Sequence, residues 1–320
     1  MLSERDVDAV LDMDAALEAV RRGQSALAAG DGQVLAKSRA RVGDLTLHAV
    51  GGALGLDGTG PAQEVTTAGV KAYVSGAARA HWMLLFDSRR GLRAVVAADR
   101  LGRLRTGAAS GMAVDALARP DAALVCLIGA GRQAFTQVEA ISRVRKLSAV
   151  TVVSRTEARA RAMAGQIGSQ LGLTAQAAQD PAAAVAAADI VVTITTAREP
   201  VLAGAQLAPG TQVVLAGSSH ASRREADGAV FARAALVTVD DLDLARAHGG
   251  DLIAAVAEGA LDWSDVRPVG WALDPANRVG ASRDDINVFC SHGIGIWDVA
   301  LAATAVDRAE AAGLGMRVPA

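Results

Sequence analysis

Apolar and polar positions follow two different patterns along the chain. In the first third, short apolar or alternating segments lie only a few residues apart, which is typical of an antiparallel sheet. A helix capped by Ser3, and a second helix over residues 15–29 capped by Asp14 and ended by Gly30, precede these segments. A glycine-rich stretch, residues 51–60, predicts an irregular connection. The strands are predicted at residues 37–42, 44–50, 65–74, 82–87 and 92–98.

From residue 123 onward, apolar strands alternate with helices, which predicts a doubly wound parallel sheet of the Rossmann type. A helix over residues 103–118 ends before Pro120, so we place the end of the first domain at residue 118. Residues 263–282 predict irregular surface structure. The strands are predicted at 123–128, 149–153, 189–195, 212–216, 235–239 and 286–290, and the helices at 132–145, at 157–171, from Asp180 and Pro181 onward, and at 296–313.

The first strand–helix–strand unit of this second domain carries a nucleotide-binding pattern. Gly129, Gly131 and Ala134 follow the strand at the spacing of the dinucleotide fingerprint, with alanine in the third place. The glycines allow a sharp turn and a close approach to a pyrophosphate, and the helix that follows offers free N–H groups to it. A tight turn in any α/β protein would show the same three residues. The complete strand–helix–strand context favours dinucleotide binding.

The end of the second strand bears on the choice of nucleotide. An NAD site usually has an acidic residue there for the ribose 2′-hydroxyl, whereas this chain has Ser154, Arg155 and Thr156. A guanidinium beside two hydroxyls suits a 2′-phosphate. In the alternative interpretation, Arg155 is simply solvated and Thr156 caps the next helix. We favour NADPH, with NADH possible.

Composition narrows the class of protein. The chain has 320 residues, 51% of them hydrophobic, and a formal net charge of -2, which allows two domains and argues against a nucleic-acid-binding surface. Cys126 and Cys290 lie in apolar, strand-like segments and predict reduced core residues, not a disulfide or a metal site. The chain shows no secretory leader and no apolar segment of membrane-spanning length. We therefore expect a cytoplasmic enzyme without a membrane or metal partner.

Several motifs together resemble the ornithine cyclodeaminase/mu-crystallin family over nearly the whole chain. The motifs are GVKAYV around Lys71, RLRTGAAS around Arg105, LIGAGRQA, SRT from Ser154, AGSSHASRRE from Ala216 and FCSHGIGIWDVA from Phe289. The resemblance implies a substrate-binding and dimerisation domain, formed by residues 1–118 and completed by the C-terminal helix (297–320), and a Rossmann domain (119–296). It also implies a homodimer. The family includes cyclodeaminases, ketimine and cyclic-imine reductases, amino-acid dehydrogenases and a thyroid-hormone-binding lens protein.

The resemblance also assigns a substrate site. Arg41, Lys71 and Arg105 would bind the carboxylate of a small amino or imino acid, and bidentate arginine suits a carboxylate. Lys71 could also give a proton to the substrate nitrogen if burial lowers its pKa. The alternative for each is an ordinary surface cation. His292 matches a substrate-pocket position, where a structural histidine is an equal alternative, and Asp298 matches a family carboxylate.

The resemblance assigns the cofactor site in the same way. The residues that match the family's cofactor positions are Arg105, Gly129, Gly131, Arg132, Gln133, Ser154, Arg155, Thr156, Thr195, Ser218 and Ser291.

Two departures separate the chain from cyclodeaminases. Ser219 stands where those enzymes have an aspartate that acts as the base in ring closure, and a serine cannot ionise near neutral pH. His220 beside it is a weaker proton-transfer candidate. Residues 48–50 (His-Ala-Val) replace a glutamate-methionine-proline segment, and Glu64 is a conceivable substitute for its acid.

These observations favour an NADPH-dependent oxidoreductase that reduces a small ketimine or cyclic imino acid, or oxidises the matching amino acid. One alternative is an ornithine cyclodeaminase that recycles NAD and forms proline and ammonia. A second is a binding protein that retains NADPH and uses the pocket for a ligand.

Overall fold

Two compact units make up the chain in the computed structural model, which describes residues 1–56, 65–75, 80–277 and 283–317. The first unit is Met1–Arg105 with Ile294–Ala320, and the second is Thr106–Gly293. The C-terminal helix thus belongs to the first unit. The division was expected at residue 118, whereas the compact units divide inside the helix that precedes that position.

Helices and strands occur in the following order along the chain. The first unit contains α1 (Glu4–Val10), α2 (Met13–Ala29), β1 (Gly32–Val42), β2 (Leu45–Leu56), β3 (Val65–Ser75), β4 (Ala80–Asp87), β5 (Gly91–Ala97) and the start of α3 (Asp99–Leu117). The second contains β6 (Leu124–Ile128), α4 (Ala134–Val144), β7 (Ala149–Val153), α5 (Glu157–Leu171), β8 (Ala175–Ala177), α6 (Pro181–Ala186), β9 (Ile190–Thr193), β10 (Gln212–Leu215), α7 (Gly228–Ala232), β11 (Ala234–Val239), α8 (Leu242–His248), α9 (Gly250–Ala257), β12 (Val266–Pro268), α10 (Val269–Leu273) and β13 (Ile286–Cys290). The chain then returns to the first unit as α11 (Gly295–Ala311).

The first unit is built on a five-stranded antiparallel sheet in the order β1-β2-β3-β4-β5, which confirms the predicted class. Helices α2 and α11 pack together, and α11 also packs on β2 and β3. Strand β4 shows the alternation this requires, because Met83 and Leu85 are buried whereas Trp82, Leu84 and Phe86 are exposed. One face of the sheet therefore forms the core of this unit, and the other carries exposed apolar side chains.

Several predictions for this unit were wrong in detail, among them the start of β1, which lies at Gly32 and not at residue 37. Asp12, not Asp14, caps α2, since its Oδ1 accepts a hydrogen bond from the Ala15 N–H at 2.7 Å. Residues 51–56 are not irregular but continue β2, and residues 57–60 of the same stretch lie outside the described residues. The glycines serve close packing, because a Cβ on Gly295 would lie 2.3 Å from the Gly51 backbone.

The second unit confirms the doubly wound parallel sheet. Its eight strands are all parallel, in the order β12-β11-β13-β10-β9-β6-β7-β8. The chain runs from β6 outward to β8 and then crosses to β9 on the other side of β6, so the strand order reverses between β6 and β9. Ligands of such sheets bind outside the carboxyl ends of the strands at this reversal.

The prediction of irregular structure over residues 263–282 was partly wrong. Strand β12 pairs with β11, and helix α10 follows it directly. Val266 and Val269 are buried, so this segment completes one edge of the sheet. Among the described residues, no helix is both long enough and apolar enough to cross a membrane.

Candidate functional site

A buried group of charges lies in the first unit. Lys71 on β3 is 3% exposed, and its Nζ lies 2.6 Å from Oδ1 of Asp298, which is fully buried in the first turn of α11. Nε of Arg105 on α3 donates to the same oxygen at 3.2 Å. The structure thus brings together three of the predicted substrate residues, on one strand and two helices.

The group retains ligand-binding capacity. Arg105 contacts Asp298 only through Nε. Its two terminal nitrogens make no hydrogen bond to any described residue. Asp298 Oδ2 is buried and has no hydrogen-bond partner among the described residues. The group therefore presents donors that can take a carboxylate and one acceptor that can take an N–H.

The protonation of these groups follows from burial and charge. Burial lowers the pKa of Lys71 to about 8, and the nearby Arg105 guanidinium lowers it as well, while Asp298 opposes both. Burial alone would raise the pKa of Asp298, but Arg105 and Lys71 hold it below its usual value. At neutral pH the aspartate is ionised, and Lys71 is poised to exchange a proton near physiological pH.

Beside Lys71, three rings are stacked across the sheet. His48, Tyr73 and His81 occupy one cross-strand row, and the neighbouring row holds Lys71. The His48 and Tyr73 ring centroids are 4.4 Å apart with planes 3° from parallel, and those of Tyr73 and His81 are 5.1 Å apart at 15°. The Lys71 Nζ lies 5.8 Å from the Tyr73 ring centroid. Sequence analysis identified His48 only as a departure from a motif and gave no role to Tyr73 or His81.

Arg41 is placed differently from the other predicted substrate residues. It is exposed near the end of β1, and its Nε donates to the Gly43 carbonyl at 3.1 Å. It makes no ion pair with any described residue. Arg39, two residues earlier, pairs in register with His48 and contributes to the electrostatic environment of Tyr73. A role of Arg41 in carboxylate binding stays a prediction.

The predicted nucleotide turn in the second unit has the geometry of a phosphate-binding loop. Gly129 follows β6 with φ +117°, and a Cβ there would lie 2.5 Å from the Ile194 carbonyl oxygen, so only glycine fits. A Cβ on Gly131 would meet nothing, which leaves open space above the turn. Helix α4 then begins at Ala134, and Gln133 at its N-cap makes no side-chain capping bond. The N-terminus of α4 can therefore bind an anion. Arg132 is exposed beside it.

The residues at the end of β7 are also accessible. Ser154 is half-buried, whereas Arg155 and Thr156 are exposed. Thr156 occupies the N-cap position of α5 but makes no side-chain capping bond. The simple capping interpretation of Thr156 is therefore weakened.

A buried carboxylate, Glu225, accepts hydrogen bonds from residues that follow β9 and β10. Sequence analysis assigned it no role. Glu225 is fully buried; its Oε1 accepts hydrogen bonds from the Thr195 N–H and Oγ1, each at 2.7 Å, and its Oε2 accepts from the Gly217 N–H at 2.7 Å. Burial raises the pKa of Glu225, against these hydrogen bonds. Asp251 in turn accepts from the N–H groups of Glu225 and Ala226. The only signal in the sequence was the glutamate that closes the AGSSHASRRE motif.

The last predicted residues of this unit lie after β10 and β13. Ser218 is buried, and its Oγ has no hydrogen-bond partner among the described residues. Ser291 is buried at the end of β13. Ser219 is half-buried and His220 exposed, with His220 Nδ1 3.0 Å from Ser222 Oγ.

His292 is buried and paired with a buried carboxylate. Asp240 accepts hydrogen bonds from the backbone N–H groups of His292 and Gly293, and its Oδ1 lies 3.1 Å from His292 Nδ1. This geometry supplies a structural role for His292, and a substrate role for it stays a prediction.

These residues fit a dinucleotide. The glycine turn, the uncapped start of α4 and the unpartnered Ser218 hydroxyl provide the backbone and side-chain donors that phosphates and ribose need. Within the described ranges, no three His, Cys, Asp or Glu side chains are grouped as metal ligands. Cys126 and Cys290 are both free and buried.

Comparisons with known proteins agree with this chemistry. The family model described as the ornithine cyclodeaminase/mu-crystallin family matches residues 4–313. A delta(1)-pyrroline-2-carboxylate reductase from Paracoccus denitrificans is 37% identical over 226 residues, which are 69% of this chain and 70% of that protein. The structure of Thermococcus litoralis delta(1)-pyrroline-2-carboxylate reductase in complex with NADH and L-proline has a TM-score of 0.91, with 26% identity and 99% of each chain covered. An archaeal alanine dehydrogenase dimer with bound NAD has a TM-score of 0.89, with 27% identity over 99% of this chain and 98% of that one.

Proposed function

Because the chain belongs to the ornithine cyclodeaminase/mu-crystallin family, we propose that it is an NAD(P)H-dependent oxidoreductase that reduces a small cyclic imino acid or ketimine. NADPH is the preferred cofactor in this proposal, and delta(1)-pyrroline-2-carboxylate is the first substrate to test. The observation that carries the proposal is the buried Lys71–Asp298–Arg105 group, in which a lysine with a pKa of about 8 lies beside an arginine with unused donors.

Each residue of this group has a distinct task. The terminal nitrogens of Arg105 bind the substrate carboxylate in bidentate geometry, and Arg39 adds a second guanidinium. Lys71 in its ammonium form gives a proton to the imine nitrogen, and in the reverse direction the neutral amine takes it back. Asp298 keeps Lys71 charged and orients it, and its free Oδ2 accepts the N–H of the product amine. The nicotinamide, when bound, supplies the hydride for the imine carbon.

The strand ends of the second unit provide the cofactor site in this proposal. The α4 N-terminus and the Gly129–Gly131 turn take the pyrophosphate, and Arg155 takes the 2′-phosphate of NADPH. Glu225 holds the loops after β9 and β10 through Thr195 and Gly217.

The cyclodeaminase alternative lacks a base. Ring closure of ornithine needs a carboxylate to activate the distal amine, and Ser219 at that position supplies none. Reduction of an imine needs no such group, so the serine leaves the reductase chemistry intact.

A matched pair of variants tests the assignment. Lys71→Ala should abolish or strongly reduce NADPH oxidation by the cyclic imino acid while leaving NADPH binding unchanged. Ser219→Ala should keep most of the activity. Loss of activity in Ser219→Ala with full activity in Lys71→Ala would contradict the proposal.

We further propose a homodimer formed through the exposed apolar face of the N-terminal sheet. Trp82, Leu84, Phe86 and Leu92 are 38–54% exposed on strands β4 and β5, an unusual density of large apolar side chains for a free surface. Light scattering at micromolar concentration should give a dimer, and Leu84→Glu should weaken it. A monomeric wild type would contradict this proposal. The two free, buried cysteines support a cytoplasmic location.

A further inference from the structure

The rings of His48, Tyr73 and His81 form a stack whose two outer members each make a further polar contact. Its rings are nearly parallel, and both outer members are anchored: His48 Nε2 lies 2.9 Å from Ser75 Oγ, and His81 Nδ1 lies 3.6 Å from Asp99 Oδ1. Tyr73, between them, is fixed in position and orientation. Stacking explains why rings occupy these three positions, but a phenylalanine at position 73 would stack equally well, so the Tyr73 hydroxyl needs another explanation.

The Tyr73 hydroxyl lies on the same face of the sheet as Lys71, and it has no hydrogen-bond partner among the described residues. Tyr73 and Lys71 are two residues apart on β3, so their side chains leave the same face. The Lys71 Nζ is 5.8 Å from the Tyr73 ring centroid. Tyr73 is half-buried, yet its hydroxyl makes no hydrogen bond to any residue that the structure describes, whereas a buried tyrosine hydroxyl usually finds a partner.

The charges around the stack favour an anionic partner for this hydroxyl. Burial raises the pKa of Tyr73, so the phenol remains a donor at neutral pH, and Arg105, Arg39 and Asp298 all act on it electrostatically. Burial lowers the pKa of His48, and the cations Arg39 and Lys37 lower it further. The Tyr73 phenol, acted on by Arg105 and Arg39, therefore suits an anionic acceptor, while Asp99 lies at the His81 end of the row.

We propose that Tyr73 is a substrate-binding residue, whose hydroxyl donates a hydrogen bond to the imino-acid carboxylate that Arg105 binds, and that His48 and His81 position its ring. This inference rests on the proposed imino-acid reductase function and adds a group to its carboxylate site.

Tyr73→Phe is the decisive variant, because it keeps the ring and the stack and removes only the hydroxyl. KM for delta(1)-pyrroline-2-carboxylate should rise about tenfold to hundredfold, which is what one lost hydrogen bond to a charged group produces, with kcat nearly unchanged. Ser169→Ala, which also removes a single hydroxyl but on the exposed side of α5, where it donates to the Gln166 carbonyl, is the matched control and should leave KM unchanged. The melting temperature and the affinity for NADPH should be unaltered in both variants. An unchanged KM in Tyr73→Phe, with an active wild type, would overturn the inference and leave the proposed function intact.

A binding measurement separates the inference from turnover. Pyrrole-2-carboxylate is a planar ring carboxylate that the enzyme cannot reduce, and calorimetry in the presence of NADP should show binding to the wild type that is about tenfold to hundredfold weaker in Tyr73→Phe. Equal affinities would overturn the role of Tyr73 even if no imine is reduced. Failure of the wild type to bind the carboxylate would overturn both the role of Tyr73 and the carboxylate site.

Discussion

Replacing Asp298 with asparagine should move the pH range in which the enzyme reduces its substrate. The carboxylate of Asp298 is the buried anion closest to Lys71, with Nζ and Oδ1 2.6 Å apart and Lys71 only 3% exposed. Burial and Arg105 both lower the pKa of Lys71, and Asp298 opposes them to leave it at about 8. Asparagine keeps the shape and an oxygen acceptor but removes the charge, so the opposing effect is lost.

The size of the change follows from the charge removed. A nearby opposite charge shifts a pKa by about 1–3 units, so Lys71 should lose its proton that much more readily in Asp298→Asn. At about pH 7.5, a lysine with a pKa of about 8 is roughly three-quarters protonated, whereas after a loss of about 2 units it is roughly 3% protonated. Because reduction requires the ammonium, kcat/KM should fall about 25-fold at that pH and recover as the pH is lowered.

The assay is the pH profile of kcat/KM for cyclic-imine reduction. In the wild type the rate should be full below the pKa of Lys71, about 8, and fall as the pH rises through it. In Asp298→Asn the same fall should occur at lower pH. Asp307→Asn is the matched control, because it removes an exposed acid of α11 that pairs with Arg93 and not with Lys71. Superimposable profiles for the wild type and Asp298→Asn, in folded protein, would show that Asp298 does not control the protonation of Lys71.

Two further predictions concern the cofactor. Gly129→Ala should greatly weaken NADPH binding and lower the melting temperature, because the new Cβ would lie 2.5 Å from the Ile194 carbonyl oxygen at a φ of +117°. Fluorescence titration measures the affinity and thermal unfolding the melting temperature. An unaltered affinity would contradict the assignment of this turn to the pyrophosphate. Ser154→Asp combined with Arg155→Ala should lower NADPH affinity by about tenfold to hundredfold and NADH affinity much less, since one charge-assisted contact is worth about 1.5–3 kcal/mol. A wild type that binds NADH as tightly as NADPH would show that the predicted preference is wrong.

The parts of the fold that repeat a local rule were predictable from the sequence. The strand at residues 149–153 and the helix at 157–171 were predicted to the residue, because a short apolar run or a helical pattern is bounded by clear breakers. Asp180 and Pro181 start α6 as the capping rule requires. The nucleotide turn was equally visible, since glycine spacing is itself the local signal.

Features that depend on distant contacts were not predictable in the same way. Helix α3 begins at Asp99, four residues before its predicted start, because the Glu4 carboxylate accepts hydrogen bonds from the N–H groups of Asp99 and Arg100. Gly51 was predicted to belong to an irregular connection, whereas it packs closely against Gly295. In each case the determining partner is far away in the sequence.

The candidate site shows the same division. Lys71, Arg105 and Asp298 came from motifs, and the structure adds that Lys71 and Arg105 both donate to Oδ1 of Asp298. The ring stack could not be foreseen, because His48, Tyr73 and His81 become neighbours only through strand register.

The proposed function requires that this protein reduces a cyclic imino acid and does not cyclise ornithine. The most direct measurement incubates the wild type with NADPH and delta(1)-pyrroline-2-carboxylate, and separately with NAD and ornithine, while nicotinamide absorbance, proline and ammonia are followed. We expect NADPH oxidation matched by proline formation in the first reaction, and little or no proline or ammonia in the second. Efficient conversion of ornithine to proline and ammonia, without net NADH production, would contradict the proposed function.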